Sequence, residues 1–232
     1  MIDIHSHFLP RIDDGPRYVD ESVAMLEDAY LQGVTICAGT SHISLHGEDD
    51  IEAFLKRRGE SIQLLEGALA NNNVVPKLLY GAEVFLDNDI SKFDGVEDLC
   101  ISGTNFLLVE LSTVKYNPNY AEWLYLLNLK GIVPILAHIE RYSYIKELLG
   151  ELEAVNVVYQ MNARPLLKNK WFKFLLDLYY DEKTVIVSSD MHNMGMRKSC
   201  IKKVYDKVSN HFSQRVADDV FEKTAAALLK LN

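Results

Sequence analysis

A chain of 232 residues has room for one large domain or two small ones around a substantial core, and its 48% hydrophobic content excludes wholesale disorder. A formal charge of -9 argues against a nucleic-acid partner, because backbone binding needs cations to neutralise phosphates, although a local basic patch is not excluded. Cys37, Cys100 and Cys200 lie far apart, which excludes a disulfide framework or thiolate zinc knuckle and suits a reduced, cytoplasmic setting.

Met1 to His5 reads as a short strand, and a loop then runs to Asp20, which is placed to cap a helix through "ESVAMLEDAYLQ" that stops at Gly33. "VTICAG" follows as a buried strand, Ile51 to about Asn71 as a helix, and "KLLYGAEV" as the next strand. Then come "NFLLVEL", a helix around "AEWLYLLNLK" closed by Gly131, "IVPILAHI", and a helix around "YSYIKELLGELE". "NVVYQM", a helix from Lys168 to about Tyr180, "TVIVSSD" and two helices broken near His211 complete the pattern. Seven mostly apolar strands separated by helices predict a parallel sheet covered by helices. The expected architecture is α/β, a distorted seven-stranded (β/α)7 TIM-like barrel, although an open doubly wound sheet would share the local pattern. No repeat or linker divides the chain, so residues 1–232 read as a single domain. Nothing resembles a signal peptide or a bilayer-spanning run, and no membrane insertion is expected.

In a parallel barrel the functional face lies at the C-terminal ends of the strands. Those ends carry His5 and His7, then His42, Glu83, Glu110 and His138, and finally Asp190 with His192 just beyond. Any one of these alone reads as a loop residue or a helix cap, as His46 and His211 do in their polar settings. Their convergence is different, because charged groups gathered at one mouth repel or lose solvation unless a cation compensates them. On an extended strand alternate residues share a face, so His5 and His7 of "DIHSH" can grip one cation. The same period puts Asp190 and His192 of "SDMHN" on one side. Imidazoles mixed with carboxylates, without cysteine, predict Mn²⁺, Fe²⁺ or Zn²⁺. With so many ligands the simplest reading is two or three ions sharing bridging carboxylates, a recurring device for phosphate-ester hydrolysis.

The segments "DIHSHFLPRIDDGP", "TSH", "GAEV", "LVEL", "AHIERY" and "SSDMHN" span nearly the whole chain and together resemble the polymerase and histidinol phosphatase (PHP) superfamily. Within it, "HSH…DDGP" with "HIERY" and "DMHN" resembles the bacterial manganese-dependent tyrosine phosphatases of capsule or exopolysaccharide synthesis. The resemblance implies a PHP fold, Mn²⁺ foremost as the metal, and hydrolysis of phosphotyrosine by a metal-activated water. It implies one ion held by His5, His7, Glu83 and Asp190, a second by Glu83, Glu110 and His138, and a third by Asp14, His42 and His192. Asp14 stands where the histidinol phosphatase branch typically has a third histidine, and Ile139 replaces the family's proline. Arg141 and Arg197 match phosphate-contacting arginines, whose planar guanidinium can grip two phosphate oxygens. The implied partner is a phosphotyrosine protein, the tyrosine-rich tail of a membrane-associated bacterial kinase. None of the cysteines stands in the C-x₅-R arrangement of a thiolate phosphatase, so no phosphoenzyme is expected. Three alternatives remain: a small-molecule phosphatase such as histidinol phosphatase, a metal-dependent nuclease, and a non-catalytic regulator stapled by cations. Neither the orientation of Glu140 nor the oligomeric state is set by the sequence.

Overall fold

Seven apolar runs fold as seven strands in the computed structural model, which describes residues 1–230. They are β1 (Ile2–Ser6), β2 (Ile36–Ser44), β3 (Lys77–Phe85), β4 (Phe106–Glu110), β5 (Val133–Leu136), β6 (Val158–Asn162) and β7 (Val185–Ser188). Each pairs in parallel with its sequence neighbour, in the order β1 to β7. The two edges are joined just beyond β7, where the Asp190 N–H donates to the His5 carbonyl and the His7 N–H to that of Met191, both at 2.9 Å. The sheet is therefore a nearly closed barrel. Helices fill the connections and the C-terminal segment: α1 (Val19–Leu31), α2 (Glu48–Leu69), α3 (Tyr120–Leu129), α4 (Ile145–Glu151), α5 (Asn169–Tyr180), α6 (Ile201–His211), α7 (Gln214–Asp218) and α8 (Thr224–Leu228). A π turn, Asp219–Lys223, joins the last two. No helix among the described residues is long and apolar enough to cross a membrane.

Two apolar layers follow from the two faces of the strands. One lies between strands and helices, with Phe8, Leu26, Val84, Leu107 and Tyr159 among its members. The other fills the lower interior of the barrel with Ile2, Ile4, Ala38, Leu108, Ile135, Val158 and Ile186, and Ala225 of α8 closes it from below. Each fully buried aliphatic side chain there contributes about 1.5–3 kcal/mol of transfer free energy. Alternation then carries the same inward face upward from Ala38 to His42 in β2, from Leu108 to Glu110 in β4 and from Val158 to Gln160 and Asn162 in β6.

β1 needs an extra device, because Ile4 and His5 cannot both face inward on a regular strand. Its register slips: Asp3 pairs with Cys37 but Ser6 with Gly39, so three steps on β1 oppose two on β2. This bulge turns Ile2 and Ile4 to the apolar interior, then His5 and His7 to the polar mouth.

Several boundaries differ from the sequence expectation. α1 starts at Val19 with Tyr18 as its cap, leaving Asp20 in the first turn without a capping bond. β2 continues past Gly39 to Ser44, because polar Thr40 to Ser44 still pair with Gly81 to Phe85 of β3. β5 stops at Leu136, and His138 takes the left-handed conformation (φ 34°) that starts a 3₁₀ turn over Ile139–Arg141. β7 stops at Ser188, and Asp190 is also left-handed (φ 52°). The strand period therefore does not carry Asp190 and His192; a turn brings them together.

Candidate metal centre

Glu83 occupies the middle of the barrel mouth, fully buried on β3. Its Oε2 lies 3.2 Å from Nε2 of both His5 and His7 and 3.1 Å from Nδ1 of His42, while Oε1 lies 2.9 Å from Nε2 of His138. Burial alone would raise its pKa, but the surrounding imidazoles, His5 foremost, outweigh that and hold it well below the usual carboxylate range. Asp190 Oδ1 approaches His5 Nε2 (3.5 Å), His7 Nε2 (3.6 Å) and His192 Nδ1 (3.3 Å). Glu110 reaches His138 Nε2 (3.4 Å) and His42 Nδ1 (3.9 Å). Asp14, on the loop after β1, reaches His192 Nε2 (3.2 Å) and His42 Nε2 (3.6 Å).

Three overlapping groups result: His5, His7 and Asp190; His7, Asp14, His42 and His192; and His42, Glu83 and Glu110. Within each, the ligand atoms lie within 4.8 Å of one another. His138 joins them through Glu83 and Glu110. All nine residues singled out in the sequence thus meet at one end of the barrel, although His7 and His42 each bridge two groups.

The hydrogen-bond partners fix what these rings present. Gln160 Oε1 accepts the backbone N–H of His138 at 2.6 Å, which orients the amide, and the same oxygen lies 2.9 Å from His5 Nδ1. Nδ1 of His5 is therefore the donor and Nε2 faces the centre bare. His7 Nδ1 donates likewise to Asp13 Oδ2 at 2.7 Å. Two bare Nε2 atoms then face each other at 3.2 Å, with a carboxylate oxygen beside both. Burial would push both imidazoles down, yet Glu83, with Asp190 at His5 and Asp13 at His7, lifts them to about 9 and about 10. The site therefore demands positive charge, either as protons on these rings or as cations among them, and only cations leave the lone pairs as the partners have set them. His192 adds a buried Nε2 with no hydrogen-bond partner. Imidazole and carboxylate donors around a carboxylate shared by several rings fit divalent cations.

Three supporting residues were not singled out in the sequence. Asp13 accepts from His7 and from the backbone N–H of His42 (3.1 Å); burial would raise its pKa, but the His7 bond and charge bring it down to about 2. Gln160 passes the order onward, its Nε2 donating to Asn162 Oδ1 (2.9 Å), whose Nδ2 donates to Asp190 Oδ2 (2.7 Å). The only available sequence signal was parity, since Gln160 and Asn162 stand on the inward face of a strand otherwise apolar there. Glu140 turns inward: one carboxylate oxygen accepts the Asn162 N–H (3.2 Å), the other is unpartnered, and burial pushes the group up to about 8.

A cavity of about 680 Å³ opens over the centre and is lined by Asp14, His42, Glu110, Glu140, Arg141 and Arg197 among others. Arg141 Nη1 lies 3.7 Å from Glu110, while Arg197 reaches Asp14 (3.0 Å) and Asp190 (3.2 Å). Cys37 and Cys100 are buried, with thiol pKa values raised by desolvation, and none of the three cysteines lines the cavity. His46 and His211 sit outside it; the His46 N–H caps onto Asp50 and His211 Nδ1 donates to the Lys207 carbonyl.

Fold and site together define a seven-stranded parallel β/α barrel with a cation-accepting His, Asp and Glu centre at the C-terminal ends of its strands. The chain belongs to the family described as "Capsular polysaccharide synthesis, CpsB/CapC", which it matches over residues 1–230. It is 29% identical to the tyrosine-protein phosphatase CpsB of Streptococcus agalactiae, covering 99% of this chain and 98% of that protein. With the tyrosine-protein phosphatase YwqE of Bacillus subtilis it shares 31% identity over 85% of this chain and 79% of the relative. A crystal structure from the work describing YwqE and Streptococcus pneumoniae CpsB as "unique metal-dependent tyrosine phosphatases" superposes with a TM-score of 0.79. At 23% identity, covering 99% of this chain and 94% of the other, that likeness speaks to the fold.

Proposed function

We propose that this chain is a metal-dependent protein-tyrosine phosphatase acting in capsular or exopolysaccharide synthesis. The observation that carries this reading is a buried glutamate ringed by four imidazoles, in a chain aligned end to end with relatives named tyrosine-protein phosphatases. His5, His7, Glu83 and Asp190 would hold one ion, Glu83, Glu110 and His138 a second, and Asp14, His42 and His192 a third. Mn²⁺ is the ion of choice for this mixed set, with two or three per chain, and Fe²⁺ or Zn²⁺ are the alternatives. When bound, such ions supply a nucleophile from water near neutral pH and offset charge on the phosphoryl oxygens.

The residues of the chain do the rest. Asp13 and Gln160 hold the Nδ1 protons of His7 and His5, keeping Nε2 aimed at the centre. Arg141, at the cavity wall, binds phosphoryl oxygens as charge gathers on them; Arg197 keeps Asp14 and Asp190 in place and offers its remaining donors to phosphate. A phenol leaving group has a free pKa near ~10, so it departs with less protonation than an alkoxide requires. With no thiol in the cavity, transfer goes directly to water.

Residues 1–232 would act as one phosphatase domain in the cytoplasm on a phosphotyrosine protein, the tyrosine-rich tail of a bacterial tyrosine kinase, without contacting nucleic acid or inserting in a membrane. The test strips the protein with chelator, reloads it separately with Mn²⁺, Zn²⁺ and Mg²⁺, and measures bound metal with rates on a phosphotyrosyl peptide and histidinol phosphate. Peptide turnover restored by Mn²⁺, with histidinol phosphate nearly untouched, is the expected result. Preference for histidinol phosphate moves the protein to the other branch, bound metal without turnover leaves the regulator reading, and absence of both metal and turnover overturns the metal-centre reading itself.

A further inference from the structure

The cavity over the metal centre is larger than one phosphotyrosyl side chain requires, and its charge is sorted. Asp14, Glu110, Glu140 and Asp190 line it at the barrel mouth, whereas Arg164, Lys168 and Trp171 line the part formed by the chain that runs from the end of β6 into the first turn of α5. Of the cations around it, Arg141 approaches Glu110, Arg197 holds Asp14 and Asp190, and Lys198 pairs with Asp28 at 2.7 Å. Among the described residues, no carboxylate lies within 4.0 Å of the charged groups of Arg164 or Lys168. Arg164 is oriented without being neutralised, because its Nη2 donates to the Lys198 backbone carbonyl.

The ledge that carries these two cations is anchored from three sides. Ala163 N–H donates to the Ser188 carbonyl (2.8 Å), Leu166 is fully buried, and Lys207 of α6 donates its ammonium to the carbonyls of Leu166 (3.1 Å) and Leu167 (2.9 Å). Half-buried Trp171 forms an apolar wall beside it, with the Lys170 ammonium 4.4 Å from its ring. Two uncompensated cations on a fixed ledge stand out in a chain of net charge -9, and they face the same cavity as the reacting centre. Such a ledge attracts an anion that arrives attached to the substrate.

We propose that Arg164, Lys168 and Trp171 form a substrate subsite for an acidic residue flanking the phosphotyrosine, so that the preferred substrate is an acidic peptide. This rests on the phosphatase reading above. The phosphate is held at the barrel mouth while a neighbouring glutamate or aspartate carboxylate meets the guanidinium and ammonium, its stem lying along the indole. Exposed pairs of this kind contribute modestly and are screened by salt, so the preference is about fivefold at low ionic strength and falls toward unity near 1 M salt.

The experiment compares kcat/KM of the Mn²⁺-loaded full chain on two phosphotyrosyl peptides that differ only in glutamates or glutamines around the phosphotyrosine. Wild type is expected to favour the glutamate peptide, chiefly through KM. The double variant R164Q/K168Q is expected to erase that preference, and K168Q, which removes no anchoring bond, to reduce it by about half. Equal turnover of both peptides by wild type overturns the subsite and leaves the phosphatase reading standing, as does a preference that survives in both variants. No turnover of either peptide overturns the phosphatase reading, and the subsite with it.

Discussion

The two ends of the barrel are built from the same strands and obey opposite physics. Below, Ile2, Ile4, Leu108, Ile135, Val158 and Ile186 meet across a dry interior sealed by α8, where every contact favours folding without help. One to four residues further along the chain, His5, His7, Glu83, Glu110, His138 and Asp190 meet across an equally crowded space and are stable only with added positive charge. The lower end explains why the barrel exists, and the upper end what it is for. One end can carry the other because the bulge in β1 and the left-handed turns at His138 and Asp190 let the chain change its inward chemistry within a residue or two.

Substitutions that touch one end and spare the other test this division. The largest effect is expected from Glu83→Gln, which removes the charge four imidazoles share: phosphatase activity should fall well beyond the roughly 100-fold upper range for losing an outer partner of a ligand. Its chelator-stripped form should melt close to stripped wild type if the lower end alone sustains the fold. Leu108→Ala is the mirror experiment. It should cost about 2–5 kcal/mol in denaturant unfolding while leaving metal content per folded chain unchanged. Metal removal comes next: at a concentration 100 times its dissociation constant an ion stabilises by about 2.7 kcal/mol. Hydrogen exchange on stripped protein should quicken around residues 5–7 and 188–192 and stay slow at Leu108 and Ile135.

Gln160→Met is expected to weaken metal binding by about 10–100-fold in a direct titration, since it removes the acceptor for His5 and the His138 turn together. A last test, read in pH dependence, concerns Glu140, whose burial raises it from 4.5 to about 8. Folded protein keeps this proton while unfolded protein releases it, so stability is fully present below pH 4.5 and is lost as pH rises toward about 8. In stripped protein Glu140→Gln should flatten that part of the pH–stability curve, and an unchanged slope would show that Glu140 is not its source.

The sequence made the strands and their alternation legible because apolar runs such as "FLLVE" and "VIVS" are buried on both sides. It made the ligand candidates legible because imidazoles and carboxylates cluster where those runs end. β2 was read too short because Thr40, Ser41 and His42 are polar yet still paired with Gly81, Ala82 and Glu83 of β3. The adjacent aspartates were told apart in the sequence only by the family resemblance, which picked Asp14; the physical difference is spatial, since Asp13 turns inward to His7 while Asp14 stays 60% exposed on the rim. Gln160 offered nothing beyond its inward parity on β6, because an isolated amide carries no further signature until its two partners, from β1 and the turn after β5, are in place.

The seam between β1 and residues 190–191 has a consequence for biosynthesis. Ligand candidates near residue 5 must wait for those near residue 192, so most of the chain leaves the ribosome before its first strand gains its second neighbour. Such wide sequence separation slows folding and prolongs the exposure of an unpaired edge. The group of His5, His7 and Asp190, and that of His7, Asp14, His42 and His192, can therefore be completed only late, once both ends of the chain are in place, whereas His42, Glu83 and Glu110 need nothing beyond β4.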